Sequence, residues 1–129
     1  MCYYNAHKFH YRYLSYDESL GLHLDVMSCE GDQSLAVKFP IFENRLAVKQ
    51  SQIYLRADVH YGQLIFKYSL DGQQWQTLSE LDYRFISDEA GKGEGANFTG
   101  AFVGVCAQDM TGSNINAEFS YFDYNERHD

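Results

Sequence analysis

A chain of 129 residues is long enough for one hydrophobic core and too short for a second, and 45% hydrophobic residues against 22% charged exclude a disordered segment. Ten Lys and Arg against eighteen Asp and Glu give a formal charge of -8, which repels polyphosphate and anionic lipid. No basic patch interrupts that balance, so neither nucleic acid nor a membrane is expected as a partner, and a single domain over residues 1–129 is the starting expectation.

Aromatic residues reach 16%, with eleven Tyr and nine Phe, and they favour strands because flat rings fit a pleated, half-buried surface. The opening Met1-Cys2-Tyr3-Tyr4-Asn5 has no basic stretch followed by an apolar one. Nowhere does the chain reach the run of roughly eighteen apolar residues that a membrane helix needs. Residues 8 to 15 alternate with period two, setting Phe9, Tyr11 and Tyr13 on one face and His10 and Arg12 on the other, which predicts a half-buried antiparallel strand. Asp17-Glu18-Ser19-Leu20-Gly21 supplies turn chemistry, and Leu22, Leu24 and Val26 alternate with His23 and Asp25 in a second strand. Ile53, Leu55, Ala57 and Val59 alternate with Tyr54, Arg56, Asp58 and His60, and Tyr61-Gly62 turns the chain into Leu64 and Phe66, a hairpin. Asp71-Gly72 marks a further turn into Trp75-Gln76-Thr77-Leu78, and Gly100–Ala107 and Ala117–Tyr124 close the chain as two more predicted strands. Short strands at regular turns, with no long helical period, predict an all-β sandwich.

Catalytic motifs are absent: there is no HExxH, GxSxG, P-loop or EF-hand loop. Gly91-Lys92-Gly93-Glu94-Gly95-Ala96 satisfies GxGxxA in form, but no buried strand precedes it and Phe98-Thr99-Gly100 follows in place of a helix, so a pliable glycine loop is the better reading. His7, His10, His23, His60 and His128 are scattered and read as solvent-facing, with no metal-ligand spacing and no cofactor implied. Asp88-Glu89 and Glu18 are carboxylates on turns, where solvation is the ordinary state and nothing sets a catalytic separation. Trp75 offers an indole face for sugar stacking, although a lone Trp in a strand more often enters the core. Cys2, Cys29 and Cys106 cannot all pair within one chain and fit neither a zinc nor a CxxC pattern, so reduced thiols and a cytoplasmic location are expected. Asn97-Phe98-Thr99 forms a glycosylation sequon, relevant only to a eukaryotic secretory setting.

From Ile53 to Tyr124 the order and spacing of residues resemble the C-terminal domain of family 43 glycoside hydrolases of the β-xylosidase type. The resemblance runs through Tyr54-Leu55-Arg56, Leu64 to Gly72 with Trp75 beyond, Ile86-Ser87-Asp88-Glu89, Phe98 to Gly104, Cys106-Ala107-Gln108-Asp109 and Ala117 to Tyr124. Tyr3-Tyr4-Asn5 and the Tyr-rich strand after it look like the family's YYN segment, with weaker similarity between residues 28 and 50.

The resemblance implies an antiparallel jelly-roll, concanavalin A-like β-sandwich packed against a catalytic propeller domain that carries the acid, base and tuning carboxylates. It also implies that the sandwich starts upstream of the YYN segment, so that this chain lacks the first strands of its fold and, with open edges, forms a homo-oligomer. No catalytic residue is expected here; the chain is part of a glycoside hydrolase, of the xylan 1,4-β-xylosidase type, and is not catalytic alone. The implied role is an accessory domain that supports the propeller of a β-xylosidase or α-arabinofuranosidase and shapes its mouth, meeting xylo-oligosaccharide or arabinoside only indirectly. Phe98, flanked by Asn97 and Thr99, matches the phenylalanine that the family projects into that mouth. The alternative is a free-standing carbohydrate-binding or lectin-like module, which requires an exposed aromatic platform on a concave sheet face.

Overall fold

The computed structural model describes residues 1–5, 7–30, 37–38, 45–86 and 100–127. In chain order the strands are β1 (Cys2–Asn5), β2 (Lys8–Asp17), β3 (Gly21–Glu30), β4 (Val37–Lys38), β5 (Leu46–Ala47), β6 (Tyr54–His60), β7 (Gln63–Ser69), β8 (Gln76–Asp82) and β9 (Phe102–Val103). One 3-10 turn, Tyr83–Phe85, follows β8, and no α-helix occurs among the described residues. The strands form two antiparallel sheets: a six-stranded one in the order β4-β3-β2-β1-β9, with β5 also on β3, and a three-stranded one in the order β6-β7-β8. This is the predicted all-β sandwich.

Turn chemistry sets the hairpins where the sequence places them. Asp17 Oδ1 accepts from the backbone N–H of Ser19 (2.9 Å) and Leu20 (2.7 Å), closing the turn into β3, and Gly21 takes the positive φ of 73° that a Cβ disfavours. At the second turn Asp71 Oδ1 accepts from the N–H groups of Gln73 and Gln74, each at 2.8 Å, and Gly72 sits at φ 75°.

The core lies between the sheets. Cys2, Tyr4 and Val26 of the large sheet meet Leu64, Phe66 and Ile86, and a second cluster joins Leu24 to Val48 and Tyr68. Each fully buried Leu or Phe contributes about 1.5–3 kcal/mol relative to exposure. A bulge after Phe66 leaves Leu78 as the extra residue of β8, and that side chain packs on both clusters.

Three expectations change. The face of β2 that turns inward carries Lys8, His10 and Arg12, all buried, while Phe9, Tyr11 and Tyr13 lie half-buried on the outer face. His10 on this inward face and His23 on the outer face of β3 are both buried and so not solvent-facing, although His7 and His60 are exposed; His128 lies outside the described residues. Burial of His10 is tolerated because both ring nitrogens are bonded. The second change concerns Trp75, which precedes β8 and is half-buried, outside both core clusters. Third, the closing segment enters the ladder only at Phe102–Val103, and Ala117–Tyr124 forms no strand. A strand has no hydrogen bonds of its own, so it persists only where a neighbour runs. β9 pairs with β1 through Cys2↔Val103 and Tyr3↔Phe102, and its regular pairing stops where β1 does. Phe119, Tyr121, Phe122 and Tyr124 are all exposed.

Candidate functional site

The residues singled out for the substrate pocket, Asn97, Phe98 and Thr99, lie outside the described residues, as do Asp88, Glu89 and the Gly91–Ala96 stretch. Glu18 is exposed on the turn between β2 and β3. Trp75 is described, and the Arg56 guanidinium stands over its ring at 5.7 Å from the centroid.

Register, not local sequence, assembles the most structured polar surface. Pairing of β2 with β3 sets Tyr13 opposite Asp25, Ser15 opposite His23 and Tyr11 opposite Met27 on the outer face of the large sheet. Tyr11 and Tyr13 stack with centroids 5.4 Å apart and planes at 27°. Arg45, arriving just before β5, places Nε 3.2 Å from Asp25 Oδ2 and pairs also with Asp17. His23 Nδ1 donates to the Gly21 carbonyl at 2.8 Å, because a carbonyl can only accept; Nε2 then accepts from Arg45 at 3.2 Å. Burial, then the Asp25 carboxylate beside it, pushes the Tyr13 phenol well above its ordinary range. Burial likewise lifts Tyr11, to about 12, with a contribution from its hydrogen bond with Cys106. The backbone N–H of Leu20, then Ser19 and Arg45, hold the Asp17 carboxyl well below the usual carboxylate range. Asp17, His23, Asp25 and Arg45 are thus held together in one cluster of ion pairs and hydrogen bonds.

Beside it, Met1, Tyr3, Phe102, Val103, Gly104 and Val105 line an open apolar cleft of about 200 Å³. The three cysteines are unpaired thiols, two buried and Cys106 exposed. Among the described residues, no three His, Cys, Asp or Glu side chains are grouped to hold a metal ion. No local sequence signal marks Arg45 or the inward turn of Arg12, since both depend on which strands lie side by side.

Two antiparallel sheets with the hydrophobic core between them define a β-sandwich. The chain belongs to the family described as the beta xylosidase C-terminal concanavalin A-like domain, whose model matches residues 1–125. It is 32% identical over 126 residues to a putative beta-xylosidase of Escherichia coli, covering 95% of this chain. It is 30% identical over 128 residues to a beta-xylosidase of Bacillus subtilis, and 31% over 125 residues to xylosidase/arabinosidase 43B of Humicola insolens. In each case the chain spans 23% of the relative's length, so it corresponds to one part of a glycoside hydrolase.

Proposed function

We propose that this domain is the non-catalytic sandwich of a family 43 glycosidase, supporting a propeller of β-xylosidase or α-arabinofuranosidase type and shaping the mouth of its active site. The observation that carries the reading is the coverage: nearly the whole chain matches, against 23% of each relative. Phe98, with Asn97 and Thr99, is the proposed contribution to the mouth, an apolar wall that narrows the space around a terminal sugar and excludes water. Xylo-oligosaccharides or arabinosides are then met only through the propeller. The three unpaired thiols support a cytoplasmic setting. The test is reconstitution: the chain alone is expected not to hydrolyse aryl xyloside or arabinoside, and to raise turnover when mixed with a family 43 propeller. Hydrolysis by the pure chain, abolished by mutating one of its own carboxylates, would overturn this reading.

A second reading, a carbohydrate-binding module, draws on the stacked Tyr11 and Tyr13 of the outer face. Calorimetric titration with xylo-oligosaccharides separates the two: heat that vanishes in Tyr13→Ala, without any propeller present, favours the module.

A further inference from the structure

β2 turns its polar side chains inward and its rings outward. Lys8, His10 and Arg12 are buried, while Phe9, Tyr11 and Tyr13 stand half-buried on the outer face of the large sheet. In a sandwich wetted on both outer faces the opposite assignment is the stable one, because a buried charge loses its hydration and an outward ring gains no shelter. A strand that breaks this rule answers to something beyond the domain's own core.

Cross-strand pairing carries the aromatic row past β2. Tyr3 stands opposite Phe9 and Phe102 opposite Tyr3, and residues paired in this way share one face of the sheet. Phe102 is 60% exposed, and with Tyr3 it lines the apolar cleft of about 200 Å³. The outward residues that β1, β2 and β9 place from Tyr13 to Phe102 carry no charge among the described residues. Burial lifts the Tyr11 phenol to about 12, so it too stays neutral.

The outer face of the small sheet is built in the ordinary way. Asp58 pairs there with Lys67 at 2.8 Å and with Arg56 at 2.6 Å, and Glu80 stands opposite Ile65. Charged pairs of that kind suit water, whereas a neutral row of rings beside an apolar cleft suits a protein surface. Residues that lengthen β1 would lie in the plane of the sheet, and these side chains stand perpendicular to it, so the row is the same however the sheet is continued.

We propose that the outer face of the large sheet, from Tyr13 across Tyr11, Phe9 and Tyr3 to Phe102, is the face by which this domain docks on the catalytic part of its glycosidase, with an apolar side chain of that part seated in the cleft. The inference rests on the accessory role proposed above. This chain spans only 23% of its relatives' length, so most of such a polypeptide is available to cover the row. A neutral row selects an apolar surface over a charged one, and Phe102 follows Phe98 by four positions, so the face runs on from the contribution proposed for the mouth. Docking takes the rings out of water and makes the outward face of β2 a second buried layer.

The test replaces the matching region of the Bacillus subtilis relative by this chain, with a photoreactive phenylalanine in place of Tyr11, of Phe102, or of the exposed Thr77 opposite Lys67 on the small sheet. Cross-links from the first two positions to peptides of the relative's own part are expected, and none from the third. Phe102→Asp, at an exposed position, should cut the yield from the Tyr11 position roughly tenfold or more while leaving the melting of the isolated chain unchanged. Cross-links from the Thr77 position alone, in a chimera more active than the relative lacking the region, overturn the face and leave the accessory role standing. A chimera no more active than that truncated relative removes both. Cross-links between two copies give the face to self-association and overturn the proposal. Binding of the isolated chain to xylo-oligosaccharide that Phe102→Asp abolishes gives the face to sugar and overturns it as well.

Discussion

His10 Nε2 donates to the carbonyl of Asp82 at 2.9 Å, tying the inner face of β2 to the far end of β8. Its Nδ1 accepts from the Ser28 hydroxyl on β3 at 2.6 Å, so one buried imidazole joins three strands and both sheets. His10→Ala removes both bonds, strands Ser28 and the carbonyl, and opens a cavity. A loss of about 2–4 kcal/mol is expected from urea unfolding. A loss below about 0.5 kcal/mol would show that the clamp is dispensable.

Acid should destabilise the domain through Asp58. Burial opposes ionisation of this carboxyl, but hydrogen bonds from Lys67 (2.8 Å) and Arg56 (2.6 Å) outweigh it and hold the pKa below its ordinary value. A carboxylate depressed in the folded state binds fewer protons there than in the unfolded chain, so its contribution is present above the unfolded value, about 3.9. It is lost as pH falls through the folded one. Urea midpoints measured from pH 6 to pH 3 should therefore decline toward the acid end, and Asp58→Asn should flatten that decline. An unchanged slope in the variant would assign the acid sensitivity elsewhere.

Gly72 holds φ at 75°, and a Cβ there would stand 3.2 Å from the Tyr54 ring. Gly72→Ala combines a left-handed backbone penalty with that close approach, and a loss of about 1–2 kcal/mol is expected. Thermal unfolding measures it, and a neutral result would mean that the turn after β7 relaxes freely.

Phe98→Ala is expected to leave the circular dichroism and melting of the chain nearly unchanged while lowering kcat/KM of a reconstituted glycosidase. Loss of one apolar wall contact corresponds to about 1–3 kcal/mol, or roughly tenfold and above. A large fall in melting temperature would place Phe98 in the core of this chain instead.

Much of the fold was legible because its signals are local. Asp17 and Gly21, or Asp71 and Gly72, form their turns from bonds spanning two or three residues, and the alternation in β2, β3, β6 and β7 needs only the pleat. Composition, the turn grammar and the family resemblance were therefore enough for an all-β sandwich. Tertiary structure alone decided which face of each strand turned inward. Alternation marks two faces but not their destinations, so Arg12 and His10 went to the interior and Tyr11 and Tyr13 stayed outside only once β7 and β8 supplied carbonyls to receive the polar groups. The same holds for the closing strands: Val103, Val105 and Phe119 carry the right side chains, but a strand exists only beside a partner. The ladder at β9 reaches as far as β1 does.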